Sequence, residues 1–292
     1  MVSNFSFDNA LELSNVCKSY RDFSLKDVTF SLPRGSIMGF IGENGAGKTT
    51  TIKAILNLIS IEQGEIAILG HDHKQEERAA KEEVGVVFDE GYFHGTLRPR
   101  EIGSIMKNIY KSWDSVYYAE LLRKFSLSAN KPFKDFSKGM RMKLSIATAL
   151  AHHPRLLILD EATSGLDPMM RSEILDMLLE FIQDEEHSVL LSSHITSDLE
   201  KVADYITFIH QGRIIFSESK DDLLDRYGML KCGRDEYARI SHEQIIGCRE
   251  SAFGVEALVR DRDRFQSLHR GLTVDPVSIE EIMLYYGKSG DE

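Results

Sequence analysis

The chain has 292 residues, 42% of them apolar, enough for one large domain or a medium one with a small companion. Its formal charge is −11, from 35 Lys and Arg against 46 Asp and Glu, which argues against non-specific nucleic-acid binding, where clustered cations must neutralise phosphate. The three cysteines, Cys17, Cys232 and Cys248, lie far apart without metal-ligand or disulfide-framework spacing, so a reducing cytosol is expected.

Met1 to Ala10 lack the basic and apolar regions of a signal peptide. No apolar run approaches the ~18 residues of a membrane span. The chain is therefore expected not to cross a bilayer by itself. Leu11 to Tyr20 alternates apolar and polar residues, as a half-buried strand does, and so does Leu25 to Leu32. Tyr20 has two readings: a strand-end aromatic, or a flat face on which an adenine could stack. Pro33-Arg34-Gly35-Ser36 is a turn, and Ile37 to Ile41 reads as a buried strand.

Gly42, Glu43, Asn44, Gly45, Ala46, Gly47, Lys48, Thr49 and Thr50 follow. They fit G-x-x-x-x-G-K-[ST], the phosphate-binding P-loop. Ile52, Ile55, Leu56 and Ile59 then fall at helical spacing within Thr51 to Ile59, so the motif has its strand–loop–helix context. The glycines let backbone N–H groups curl around phosphate oxygens, and the helix N-terminus adds partial positive charge. Lys48 is expected to bridge the outer phosphates, and Thr49 to place its hydroxyl on Mg²⁺.

Gly64 to Gly70 reads as a short strand. His71 to Glu83 reads as a charged, solvated segment, with His71 and His73 as solvated side chains rather than metal ligands, since no partners stand at ligand spacing. Val84 to Phe88 is a β-branched, buried strand ending in Asp89-Glu90-Gly91. Ile102, Ile105, Met106, Ile109 and Trp113 predict one helical stripe, and Tyr117 to Lys124 a second helix. Asp135 to Met140 is expected as a polar loop opening onto a helix over Arg141 to His152, with Leu144, Ala147, Thr148 and Ala151 inward.

Leu156 to Asp160 is a continuous apolar run ending in two acids. A strand apolar on both faces belongs in the middle of a covered parallel sheet, and ligands bind at the carboxyl ends of such strands. Asp160 reads as the Mg²⁺ carboxylate opposite Thr49, and Glu161 as the group that orients or deprotonates the attacking water. A merely solubilising strand end is the alternative. Asp167-Pro168 is a helix start, with Ile174, Met177, Leu178, Phe181 and Ile182 facing inward. Ser188 to Leu191 is another buried strand, and His194 after it is either a polar cap or a group within reach of a γ-phosphate. Tyr205 to His210 and Ile214 to Phe216 predict a hairpin. From Ser217 the pattern weakens. The capping box Ser278-Ile279-Glu280-Glu281 predicts a last helix in a small α/β appendage.

From about Leu11 to Phe216 the ordered set resembles the nucleotide-binding subunit of an ATP-binding cassette (ABC) transporter. Tyr20 matches that family's adenine-stacking aromatic. Gly42 to Thr49 matches Walker A, and Leu156 to Asp160 matches Walker B, with Glu161 as the catalytic carboxylate. Phe136 to Met140 is similar to the LSGGQ signature, with Ser137 and Gly139 serving ATP on the opposite subunit. Ser164 to Asp167 matches the D-loop, and His194 the switch histidine. Asp89 stands where the family usually has a glutamine and is expected as an outer-sphere Mg²⁺ ligand; the alternative is that Asp89 swings into solvent and Glu90 faces the membrane partner. The signature carries Phe136, Lys138 and Met140 in place of Leu, Gly and Gln. The form Ser137-Lys138-Gly139-Met140-Arg141 resembles the bacterial exporter branch for antibiotics and peptides.

The resemblance implies an α/β P-loop ATPase fold with a mostly parallel core sheet, an antiparallel β region and a helical subdomain over about 89–155. The nucleotide-binding domain would span 9–216 and a small C-terminal domain 217–292. It also implies ATP and Mg²⁺ as ligands and hydrolysis that powers translocation. A second nucleotide-binding subunit, a copy or a paralogue, would complete the sites, and a separate transmembrane permease would hold the chain at the cytoplasmic membrane face. No nucleic-acid partner is expected. A soluble ABC-type ATPase acting on ribosomes or DNA is the alternative, but such proteins carry paired cassettes, coiled coils or zinc motifs, absent here. A small-molecule P-loop kinase would leave the signature and D-loop unexplained.

Overall fold

The computed structural model describes residues 6–89, 93–252 and 254–288, so Glu90 and Gly91 lie outside the described residues. In chain order, β1 (Asn9–Ser19), β2 (Ser24–Pro33) and β3 (Ile37–Ile41) lead into α1 (Lys48–Ile55). Then come β4 (Gln63–Ile68), β5 (His71–Asp72), α2 (Glu77–Glu82) and β6 (Val84–Phe88). The helices α3 (Pro99–Met106), α4 (Ser115–Lys124) and α5 (Lys138–Leu150) precede β7 (Leu156–Asp160). Alternation resumes with α6 (Pro168–Phe181), β8 (Ser188–Ser193), α7 (Thr196–Val202), β9 (Tyr205–His210) and β10 (Arg213–Ser219).

Burial decides where each strand goes. All five residues of β3 and all five of β7 are buried, and both strands sit inside a six-stranded sheet of order β10-β9-β3-β8-β7-β6. Strands β9, β3, β8, β7 and β6 run parallel in it. Crossover helices cover such a sheet, which is why its inner strands tolerate no polar face. The half-buried strands go elsewhere: β2-β1-β4-β5 form a separate antiparallel sheet. The α/β class, the parallel core and the antiparallel region are as the sequence led one to expect. One core joins the two sheets, and in it Phe30 of β2 stacks on Phe40 of β3 with centroids 5.5 Å apart.

Three sequence expectations need correction. His73 is not solvated: it is 3% exposed, and its Nδ1 donates to the Ile66 carbonyl at 3.1 Å. Burial pushes its pKa down. The stripe from Ile102 to Trp113 is not one helix, since α3 stops at Met106. Ile102 is buried, but Ile105 is 46% and Ile109 is 59% exposed, and Tyr110 turns in to stack on His152 with centroids 3.9 Å apart. The signature segment is not all loop. Ser137 caps α5 by accepting from the Met140 N–H, so the helix starts at Lys138 rather than Arg141.

The chain divides into two compact units, one through Ser217 and the other from Glu218. The second contains α8 (Lys220–Arg226), β11 (Tyr227–Cys232), α9 (Arg234–Tyr237), β12 (Ile245–Ser251) and β13 (Gly254–Arg260). It ends with α10 (Arg262–Leu268), β14 (Val274–Asp275) and α11 (Ile279–Lys288). Its sheet has the order β12-β13-β11-β14 and a core of its own around Leu230, Ala257, Val259, Phe265 and Val274. The capping box forms as expected: Ser278 N–H donates to the Glu281 carboxylate at 2.8 Å, and the Glu281 N–H donates back to Ser278 Oγ at 3.2 Å. Among the described residues no helix is long and apolar enough to cross a membrane.

Candidate active site

The P-loop leaves the carboxyl end of β3 and turns back into α1. Gly47 makes the turn with φ +120°, a value that favours glycine, and a Cβ there would meet the Leu25 and Phe23 side chains at 2.8 and 2.9 Å. Gly42 must also lack a side chain, since a Cβ would lie 2.4 Å from the Ile209 carbonyl oxygen. Gly45, at φ +84°, faces open space instead. A loop pinned at Gly42 and Gly47 and open at Gly45 is shaped to admit an anion to its backbone N–H groups.

Lys48 is buried and folds back over this loop. Its Nζ donates to the Gly42 carbonyl at 2.7 Å and the Glu43 carbonyl at 3.3 Å, and pairs with Glu161 Oε1 at 3.1 Å. Thr49 Oγ1 donates to Asp160 Oδ2 at 2.8 Å. Ser192 Oγ, from the end of β8, donates to Asp160 Oδ1 at 2.6 Å. Both oxygens of this buried carboxylate therefore accept hydrogen bonds, each worth about 1.5–3 kcal/mol to an ionised acceptor. Ser192 was not singled out from sequence. The only signal was its position beside His194 at a strand end.

Glu161 follows with φ 53°, a backbone conformation rare outside glycine. Its N–H donates to the Ser192 carbonyl at 3.1 Å. The turn brings its carboxylate between two cations or donors: Oε1 faces Lys48, and Oε2 lies 2.6 Å from His194 Nδ1. Thus Lys48, Thr49, Asp160, Glu161 and His194, from three neighbouring strand ends, meet in one place. The Thr49 hydroxyl and Asp160 carboxylate form an oxygen donor set that suits Mg²⁺, which takes one or two protein oxygens and fills the rest with phosphate and water. Among the described residues no three His, Cys, Asp or Glu side chains gather as a ready-made metal cage, so Asp89 does not join the two acids in one.

Among the described residues the other candidates make no hydrogen bond or ion pair with these five side chains. Tyr20 is 49% exposed, with Lys18 Nζ 5.5 Å from its ring centroid. Its N–H donates to the Phe23 carbonyl at 2.8 Å, so the β1–β2 turn that carries it rests against Gly47. Ser137 is exposed at the start of α5, and among the described residues no hydrogen bond or ion pair links Ser137 or Gly139 to the P-loop. Asp89 pairs with Lys138, Oδ1 to Nζ 2.8 Å, a contact not foreseen from sequence.

A family model described as "ABC transporter" matches residues 25–164. The lantibiotic transport ATP-binding protein SrtF of Streptococcus pyogenes is 34% identical over 214 residues, covering 72% of this chain and 91% of that protein. The ABC transporter ATP-binding protein YtrB of Bacillus subtilis (strain 168) is 26% identical over 268 residues, covering 89% of this chain and 91% of its own. Among solved structures, the ATP-binding subunit of an ABC transporter is 30% identical with TM-score 0.66, covering 73% of this chain and 91% of that one.

Proposed function

The chain belongs to the ATP-binding proteins of the ABC transporter family, and from that premise we propose that it is the ATPase subunit of a membrane exporter of the antibiotic and peptide type. The carrying observation is the convergence of Lys48, Thr49, Asp160, Glu161 and His194 at the carboxyl end of the parallel sheet.

Gly42 to Thr50 wrap the phosphates, and Tyr20 stacks the adenine. Lys48 leaves Glu161 for the outer phosphates when ATP enters, because a triphosphate offers more negative charge than one carboxylate. Thr49 and Asp160 would hold Mg²⁺, with Asp89 as an outer-sphere ligand, and the ion would supply positive charge to the phosphates. Glu161, freed of Lys48, orients or deprotonates the attacking water. His194 keeps Glu161 in position and reaches toward the γ-phosphate.

Ser137 and Gly139 have no ATP of their own to serve. They face ATP on a second nucleotide-binding subunit, a copy or a paralogue, so the reaction needs a closed pair. A separate transmembrane permease converts that closure into transport and holds this chain at the cytoplasmic membrane face. The lantibiotic transport named for SrtF supports the exporter reading. Residues 9–216 form the catalytic domain, with 89–155 as its helical part. The unit from about 217 supports docking or dimerisation.

Purification of the tagged chain from detergent-solubilised membranes tests this. A stoichiometric multi-spanning protein, with ATPase activity in the complex, is the expected result. A chain that hydrolyses ATP but copurifies with ribosomes or DNA instead contradicts it.

A further inference from the structure

Asp89 and Lys138 carry charge where the resemblance leads one to expect a neutral amide and a glycine. They lie far apart in sequence, yet Lys138 Nζ and Asp89 Oδ1 are 2.8 Å apart. Each charge alone is poorly placed. Lys138 opens α5, where a cation opposes the helix macrodipole, and no acid stands in that first turn to offset it. Asp89 follows Phe88, whose register partner is Asp160, so it adds a carboxylate beside a strand end that already carries Asp160 and Glu161. Paired, the two charges neutralise each other.

Lys138 Nζ also lies close to Gly165. A Cβ built on Gly165 would lie 3.1 Å from Lys138 Nζ, and Gly165 has φ +67°. The lysine thus spans the end of β6 and the segment between Glu161 and α6. The side chains are 46% and 43% exposed, while Asp89 Oδ1 itself is shielded where it meets the lysine. Lys138 is the water-facing half of the pair, so a stronger anion can draw it away.

We propose that Lys138 is a phosphate-directed cation held in reserve by Asp89. In the free chain the two are paired. When two chains close over ATP, Lys138 leaves Asp89 for the outer phosphates of the ATP held by the partner chain, beside Ser137. Asp89 is released toward water. This deepens the shared-site reading above and rests on it. It differs from a structural ion pair in one respect: the two side chains act in opposite directions on closure. Lys138 favours the closed pair, and Asp89 opposes it.

The test uses the full chain carrying Glu161→Gln, which slows hydrolysis, with MgATP at saturating Mg²⁺. Size-exclusion chromatography with light scattering gives the ATP concentration for half-maximal dimer. Fluorescence titration at low protein concentration gives ATP affinity of the single chain. Lys138→Met should need about tenfold more ATP to dimerise, with single-chain affinity unchanged. Asp89→Asn should need roughly threefold less, because the lysine is already free. Lys138→Arg should stay near the parent. Equal shifts in the same direction for Lys138→Met and Asp89→Asn, or no shift for Lys138→Met, would overturn the proposal and leave the shared site intact. A parent chain that binds ATP yet never dimerises contradicts the shared-site reading itself, and the proposal falls with it.

Discussion

His194 Nδ1 and Glu161 Oε2 are 2.6 Å apart, at the ends of neighbouring strand segments. Glu161 shares its other oxygen with Lys48 at 3.1 Å. A carboxylate tied on both sides is positioned but not free to accept a proton from water. In the proposed reaction ATP draws Lys48 to phosphate, so that arrival of substrate would itself release the group that acts on it.

Glu161→Gln keeps the shape and the P-loop but removes the proton acceptor. Turnover should fall about 10²–10⁴-fold, the usual worth of general-base help, while ATP affinity stays within a few-fold of the parent. Single-turnover hydrolysis and equilibrium ATP binding measure the two separately. Turnover at the parental rate would rule out the role given to Glu161.

Asp89→Ala should raise the Mg²⁺ concentration for half-maximal ATPase by roughly three- to tenfold, and Asp89→Gln should largely restore it. Titration of Mg²⁺ at fixed ATP checks this. An unchanged requirement in Asp89→Ala would leave Asp89 as the partner of Lys138 only.

Cutting the chain after Ser219, where β10 ends, removes the unit with its own core. ATP binding should persist, and dimerisation or assembly with the permease should weaken. Isothermal titration and cross-linking read the two. Lost ATP affinity in a folded truncated chain would contradict the supporting role.

Burial holds the His152 pKa below its ordinary value of 6.5, although its Nε2 donates to the Val84 carbonyl at 3.2 Å. The fold thus favours the neutral ring. Above about pH 6.5 the folded and unfolded chains both keep it neutral, and its contribution to stability is complete. As pH falls, the unfolded chain takes up a proton that the folded chain resists, so stability drops, by at most about 1.4 kcal/mol per pH unit for one proton. Urea unfolding between pH 7.5 and 5.5 should show this slope, and His152→Asn should reduce it, leaving the share of His73, whose pKa burial also lowers. Equal slopes in both chains would count against the assignment.

The sequence was most legible where local chemistry is self-contained. Gly42 to Thr49 needs its glycines for turns that the backbone now displays, and the unbroken apolar run of β7 could only lie inside a sheet. It was least legible where a side chain's partner comes from far along the chain. His73 is a nearer case: it looked solvated because its neighbours are charged, but the turn after β5 brings its ring back to the Ile66 carbonyl of β4, seven residues away. Ile105 and Ile109 kept helical spacing, yet the helix stops at Met106 and Tyr110 beyond it stacks on His152. Asp89 and Lys138 were each visible as departures, and only the fold brings them together.

The central claim is that each ATP is served by two chains. Lys48→Ala disables the phosphate cradle, and Ser137→Arg disables the signature face and its cap on α5. Each variant alone should be nearly inactive. Mixed together, they should form heterodimers holding one intact composite site, and ATPase activity should rise well above either variant alone. Activity that stays at the level of the single variants, with mixed dimers demonstrated by native mass spectrometry, would contradict the shared site.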